Sequence, residues 1–465
     1  MTTVIWWLRR DLRLHDNQAL QLALSKGEEV IPLFILDPRL WGSPYVGQKR
    51  LDFLVGHLWQ LRDDVAALGG RLILRQGEPV SVLKGVMAES GASLIVAERD
   101  YTPYAQQRDK RVEAALPIEW VAGLYGHQPG EVLKKDGTPY TVFTPFSRSW
   151  RALPAPMGWE SEPRGFITPD LHSEPLPPVG EMLVPVGEAA ARAMLAEFTK
   201  RGGKVEVYGE GRDRPAEGGT SRLSPYLRFG VIAAGRALAA ARGAIAAAET
   251  ESGRESATVW ETELIWRDFY GHILHHFPHV RYGSFRPKYD RIVWRNDPGE
   301  FEAWCQGRTG YPIVDAGMRQ MLQTGWMHNR VRMITASFLV KDLLIDWRWG
   351  ERWFMQQLLD GDPASNNGGW QWTAGTGTDA APYFRIFNPT SQGKKFDPEG
   401  VYVRQWVPEL AKVPNKYIHE PWRLSVAEQK RMGMILGERY PRPIVEHKEA
   451  RERTLAAYKV VRENG

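Results

Sequence analysis

The chain has 465 residues, roughly three times the ~150 of a typical domain, and its 43% hydrophobic and 25% charged content is that of a globular protein with at least two domains. A single cysteine, Cys305, excludes an intramolecular disulfide framework and a cysteine-based metal cluster. No apolar run reaches the ~18 residues of a membrane span, and the start MTTVIWWLRRDLRL lacks a signal-peptide pattern, so the expectation is a cytoplasmic protein with no membrane partner. The net charge of +5 is unevenly spread: residues 1–200 hold 22 basic and 24 acidic side chains and residues 201–465 hold 38 and 31, which makes the second half the better candidate for a polyanionic partner.

In chain order, strands are predicted at Thr3–Trp7, Val30–Leu36, Arg71–Leu74, Ser93–Ala97 and Ile118–Val121. Helices are predicted between them at Gln18–Ser25, Lys49–Leu68, Pro79–Ser90 and Tyr104–Ala115. The strands are continuously apolar rather than alternating, as in a parallel sheet covered on both faces, so residues 1–130 read as a doubly wound α/β domain. Neither a G-x-G-x-x-G nor a P-loop motif is present. Arg9, Arg10 and Arg13 follow the first strand, as an anion site or a solvated charge cluster. Residues 131–200 form the connection, with a proline-rich, extended stretch at 153–186.

Residues 201–465 read as mainly α-helical. Helices are predicted at Gly187–Lys200, Pro225–Ala247, Thr258–His276, Gly299–Gln306, Val314–Thr324, Val331–Trp347, Glu351–Leu359, Val407–Lys412, Ser425–Leu436 and Glu446–Arg462, with an irregular glycine-rich segment at 361–396. Nineteen tryptophans are present, ten of them between 260 and 372, and from composition alone core packing is the better reading of them.

Four segments carry chemistry. The run Gly218–Pro225 places hydroxyls and free N–H groups at a helix start, suited either to phosphate or to a plain cap. Asp360–Trp372 combines acids, amides, glycines and tryptophans, suited to sugar hydroxyls and ring edges or to a structural loop. Glu263, Trp266, Arg267 and Tyr270 recur at i, i+3, i+4 and i+7 and share one helix face, suited to bases and phosphate or to a half-buried aromatic face with a salt bridge. Asn329, Arg332 and Met333 share another face, beside His328, which reads as structural because no second ligand stands at metal spacing.

These blocks, GTSRLSPYLRFG, WETELIWRDFY, TGYPIVDAGMRQMLQTGWMHNRVRM and DGDPASNNGGWQWTAGTGTDAAPYFRIFNP, resemble the photolyase/cryptochrome family, closest to its class I cyclobutane pyrimidine dimer DNA photolyases. The resemblance implies an antenna domain at 1–130 and an FAD-binding and DNA-binding catalytic domain at 201–465. It matches Tyr208, Thr220, Ser221, Arg222, Leu223, Ser224, Trp260, Asp360, Gly361 and Asp362 to FAD contacts, Asn366 to the residue facing flavin N5, and Arg332 with Asp360 to an ion pair beside the ring. Trp266 and Trp372 match the pair that sandwich a flipped-out dimer. Glu263, Asn329 and Met333 match lesion contacts, and Arg212, Arg267, Arg330 and Gln392 match DNA contacts. Trp294, Trp347 and Trp370 match a chain that relays electrons to the flavin.

The activity that the resemblance implies is light-driven splitting of pyrimidine dimers in UV-damaged DNA, without metal, by a monomer. The alternative is a cryptochrome-like blue-light receptor. Repair of (6-4) lesions is disfavoured, since the two histidines of that branch are replaced by Asn329 and Met333. Glu98–Tyr104 resembles an antenna-pocket region but lacks the Asn-Glu pair associated with folate, which leaves a deazaflavin, a folate or a second flavin open.

Overall fold

The computed structural model describes residues 2–154 and 161–463, so part of the expected linker, 155–160, lies outside the described residues. Five strands form one parallel sheet: β1 (Thr3–Leu8), β2 (Glu29–Leu36), β3 (Ile73–Gln76), β4 (Leu94–Glu98) and β5 (Ile118–Val121), in the order β3-β2-β1-β4-β5. Every residue of β1 is buried, and Ile5 lies opposite Ile31 of β2 and Ile95 of β4. This is the central strand that the continuous run TVIWWL predicts. Asn17 then caps the Gln18–Lys26 helix by accepting from the Leu20 N–H.

The chain divides into two compact units. One comprises Met1–Val207, Ser221–Pro278 and Leu359–Ala364. The other comprises Tyr208–Thr220, His279–Leu358 and Ser365–Gly465. The first unit adds to the sheet the helices Phe143–Ala152, which has no counterpart among the predicted elements, Glu188–Thr199, Ser224–Arg228, Ala234–Ala247 and Glu251–His276. The second unit has a helical core that includes Trp304, Phe338, Trp347, Phe354 and Trp370. No helix among the described residues is long and apolar enough to cross a membrane.

The arginines after β1 are neither a solvated cluster nor a free anion site. Arg9 pairs with Asp109 at 2.8 Å, Arg10 with Asp362 at 2.8 Å and Arg13 with Glu98; Arg10, Arg13, Asp109 and Glu98 are buried, and Arg9 and Asp362 are mostly covered. A guanidinium folded into the protein needs a counterion, and each finds one far away in sequence.

Several helices differ from expectation for local reasons. The predicted Pro225–Ala247 helix breaks after Arg228, where Gly230 has φ +61° and a Cβ would overlap the Arg10 carbonyl oxygen. The predicted Val331–Trp347 helix becomes the Asn329–Ser337 helix followed by a π-helical turn, Phe338–Asp342, and Leu344 at φ +53° ends it. The next helix, Trp347–Gln357, is capped by Asp346. In place of Val407–Lys412 the chain has a helix at Val401–Trp406 and a 3-10 turn at Pro408–Leu410.

The 361–396 segment is not irregular throughout, because it contains helices at Pro363–Ala374 and Pro389–Phe396. Both start with an acceptor followed by proline. Asp362 accepts from Ala364 N–H, and Asn388 accepts from Ser391 N–H.

The contact at Gly230 yields a test. Gly230→Ala forces a left-handed alanine against the Arg10 backbone and should cost about 3 kcal/mol in urea unfolding. An unchanged midpoint would mean that this approach is not tight.

Candidate active site

In the first unit, Ser224 meets the Asp360–Asp362 segment that is likewise matched to FAD contacts. Ser224 starts a short helix with Pro225 in its first turn, and its hydroxyl donates to Asp360 Oδ2 at 2.6 Å. Arg222, two residues before, holds φ +52°, a left-handed conformation that is strained for a side chain of its size. The Gly361 carbonyl accepts from Arg228 Nε at 3.0 Å and Arg50 Nη1 at 3.3 Å. Asp362 takes Arg10 Nη2 on one oxygen and the Ala364 N–H on the other.

Electrostatics tighten this cluster. Burial pushes Arg50 down to about 10 and Arg228 down to about 9. Burial works against Arg10 as well, but Asp362 and Asp100 outweigh it and hold Arg10 above its ordinary value. The family resemblance assigns Asp362 to the cofactor. Its service as counterion to Arg10, 352 residues earlier, left no local signal in the sequence.

The Glu251–His276 helix displays the predicted stripe. Glu263, Trp266, Arg267 and Tyr270 are all half-buried, whereas Glu261, Ile265, Asp268 and Phe269 point into the unit. Asp268 anchors the inner side by accepting from the N–H groups of Gly126 and His127 and from Trp150 Nε1, and burial pushes it up to about 6. Trp260 is 3% exposed and meets the Phe198 ring edge-on at 5.0 Å. Trp266 stacks on Phe143 at 3.6 Å and 6°, so one face of its indole is already covered. Arg267, matched to a DNA contact, donates to the carbonyls of Leu124 and Leu227 and lies over the Tyr125 ring. The Glu98–Tyr104 segment is similarly engaged, with Glu98 on Arg13 and Asp100 3.7 Å from Arg10.

In the second unit, Tyr208 lies under the Arg212 guanidinium at 5.7 Å. Gly219 approaches Gly211 so closely that a Cβ would sit 2.8 Å from its backbone. Next to it, Thr220 Oγ1 is buried without a hydrogen-bond partner among the described residues. His328 is structural as expected, since its Nδ1 caps the Asn329–Ser337 helix by accepting from Arg330 N–H at 3.2 Å. Asn329 is exposed, Met333 is half-buried, and Arg332 Nε donates to the Met327 carbonyl at 2.8 Å. Arg330 pairs with Asp213 at 2.7 Å and covers the Phe396 ring. Gln392 is half-buried on the Pro389–Phe396 helix.

The Pro363–Ala374 helix carries Asn366, Trp370 and Trp372. Asn366 Nδ2 donates to the Glu351 carbonyl at 2.9 Å, which leaves Oδ1 as an acceptor. Asn367 and Gln371 hold the opposite side on the Val280 carbonyl, while Trp372 is half-buried. A Cβ on Gly369 would meet open space. Trp370 is 2% exposed, and a Cβ on Gly350 would overlap its ring. Trp347 is 1% exposed, whereas Trp294 is only partly buried. A partnerless buried hydroxyl at Thr220, an amide oxygen turned to accept, and a glycine facing empty space fit a cofactor rich in hydroxyls and ring N–H groups.

Comparison with known proteins decides the family. Residues 4–163 match the family described as DNA photolyase, and residues 260–460 match the FAD binding domain of DNA photolyase. The chain is 43% identical to the deoxyribodipyrimidine photo-lyase of Escherichia coli (strain K12), over 99% of each chain. This chain belongs to the DNA photolyase family. The photolyase fold is also seen in a bacterial class III photolyase from Agrobacterium tumefaciens, with a TM-score of 0.93, 41% identity, and coverage of 100% of this chain and 98% of that one. The cryptochrome of Synechocystis sp. PCC6803 is more distant, at a TM-score of 0.88 and 30% identity over 98% of this chain and 99% of that one. The photolyase therefore carries an FAD-binding domain at its C-terminal side, and as an enzyme it groups with the deoxyribodipyrimidine photo-lyases.

The counterion role of Asp362 is separable from any cofactor role. Asp362→Asn should destabilise the flavin-free protein by about 2 kcal/mol in urea, because it leaves the buried Arg10 charge with Asp100 alone, 3.7 Å away. If Asp362 served only the cofactor, flavin-free stability would be unchanged.

Proposed function

We propose that this enzyme splits cyclobutane pyrimidine dimers in UV-damaged DNA under blue light. FAD, when bound, supplies the photoexcited reductant, which lends an electron to the dimer and recovers it once the cyclobutane bonds have opened. The observation that carries the reading is the orientation of Asn366. With Nδ2 tied to the Glu351 carbonyl, Oδ1 is the free acceptor, and an uncharged acceptor suits a ring nitrogen that bears a proton, as in reduced flavin. A carboxylate there would add negative charge against an electron-rich ring.

The protein's own part begins with extracting the lesion, which cannot reach a buried cofactor while stacked in duplex DNA. Trp266 offers its uncovered face to a flipped base, because Phe143 holds the other. Trp372 offers a second indole. Glu263, Asn329 and Met333 bind the dimer; Glu263 in its protonated form donates to a dimer carbonyl and stabilises the negative charge that develops there. Arg212, Arg330 and Gln392 hold the DNA backbone. Arg267, already on two carbonyls, fixes the stripe that bears Glu263 and Trp266. Trp370, Trp347 and Trp294 pass electrons inward from the partly exposed end. Tyr208, Thr220–Ser224, Trp260, Arg332 and Asp360–Asp362 hold FAD. A second, light-harvesting chromophore, whether deazaflavin, folate or flavin, completes the reading, with a monomer in the cytoplasm as its setting.

Glu263→Ala tests the assignment. Losing a charge-assisted hydrogen bond to the substrate should cut light-dependent repair about tenfold or more, with FAD content unchanged. Repair per enzyme is measured on a thymine-dimer oligonucleotide and flavin by absorbance. Equal loss of both would move Glu263 from the lesion to the cofactor.

A further inference from the structure

Lys341 is the one lysine of the described residues in the fully buried core, at 1% exposed. A lysine this deep ordinarily has an acidic partner. Lys341 has other company: Nζ donates to the Ala374 carbonyl at 2.9 Å and sits 3.7 Å from the centroid of the Tyr458 ring. The Tyr458 hydroxyl donates to the same carbonyl at 2.6 Å, so one oxygen holds both the amine and the phenol. Lys341 also lies in the π-helical turn Phe338–Asp342, a rare conformation that recurs at functional sites. On its other side Tyr458 meets Trp294 edge-on at 6.3 Å and stacks on Tyr383 at 6.1 Å.

We propose that Lys341 is a positioning residue of the electron relay: its charge over the Tyr458 ring stops the relay at Trp294. This rests on the reading of Trp370, Trp347 and Trp294 as a relay. A cation on a ring face stabilises the electron-rich ring and opposes removal of an electron from it. Were Tyr458 to reduce the oxidised Trp294, one electron would pass from phenol to indole and the phenolic proton would need a base. The Ala374 carbonyl is not one. A neutral Lys341 amine is one, and the products would be a tyrosyl radical, an intact Trp294 and an ammonium. The ammonium form therefore blocks the transfer twice, by charge and by lacking a site for the proton.

Burial pushes Lys341 down to about 7, so the charge that blocks the transfer is present below that pH and lost above it. The neighbouring groups are Asp342 on the same turn, bonded to His447 and pushed up to about 6 by burial; Arg453, on the Asp342 carbonyl; and Tyr289 and Asp346, which act on Tyr458.

A capping role alone is the simpler account, since Ala374 ends a helix and lysine often caps carbonyls there. Lys341→Gln separates the two, for it keeps a donor and removes the charge. The FAD-loaded protein is illuminated with its flavin oxidised, and the radical formed is identified by electron paramagnetic resonance. At about pH 6 the unaltered protein should give a tryptophanyl radical. Lys341→Gln, which offers the phenolic proton no base, should give only the tryptophanyl radical at every pH. Raising the pH of the unaltered protein should replace the tryptophanyl radical with a tyrosyl radical that disappears when Tyr458→Phe is added, since the ammonium-to-amine ratio falls about tenfold per pH unit. A folded Lys341→Gln that still shifts to the tyrosyl radical at high pH overturns the proposal. If that variant does not fold, the absence of tyrosyl radical at high pH in the unaltered protein overturns it. A tyrosyl signal at high pH that survives Trp294→Phe refutes the passage of the electron through Trp294, and the proposal with it.

Discussion

The buried pair between Arg10 and Asp362 is the constraint on which the site depends. It joins the turn after the central strand to the residue that starts the Pro363–Ala374 helix, 352 positions later. Asp362 uses both oxygens, one for the guanidinium and one for the helix N-terminus. The carbonyl of Gly361 is fixed in turn by Arg228 and Arg50. A cluster with three guanidiniums and few anions is costly to bury, and it is stable only if every partner is in place. That requirement is what makes the geometry specific.

Within the second unit, Asn366, Trp370 and Trp372 follow one another along the helix at a rise of 1.5 Å and a rotation of 100° per residue. Asn366 is then turned by the Glu351 carbonyl, and Asn367 and Gln371 are held on Val280. The helix is glycine-rich and has little intrinsic propensity of its own, so tertiary contacts maintain it. Room for a flat ligand and a weak helix are two aspects of the same choice of glycine.

How much of this was legible in the sequence differs by element. The five parallel strands were, because continuous apolar runs such as TVIWWL have few alternative fates. So was the stripe of Glu263, Trp266, Arg267 and Tyr270, because helical periodicity alone groups them. The Pro363–Ala374 helix was not, because Gly368 and Gly369 weigh against a helix, although Asp362-Pro363 is a cap followed by a first-turn proline and does signal a helix start. The pairings of Arg9, Arg10 and Arg13 were not legible, since their partners lie from 85 to 352 residues away. The same holds for Phe143 on Trp266 and for Lys341 on Tyr458, where the partners come from different elements and no spacing rule joins them.

The most direct measurement is chemical. An oligonucleotide with one thymine dimer, and a second with one (6-4) photoproduct, are incubated with the reduced, FAD-loaded protein in blue light and in the dark, and restored thymines are quantified by chromatography. The predicted result is restoration from the dimer in light alone and none from the (6-4) product. No restoration from the dimer in light, or restoration from the (6-4) product alone, would contradict dimer splitting as the activity of this enzyme.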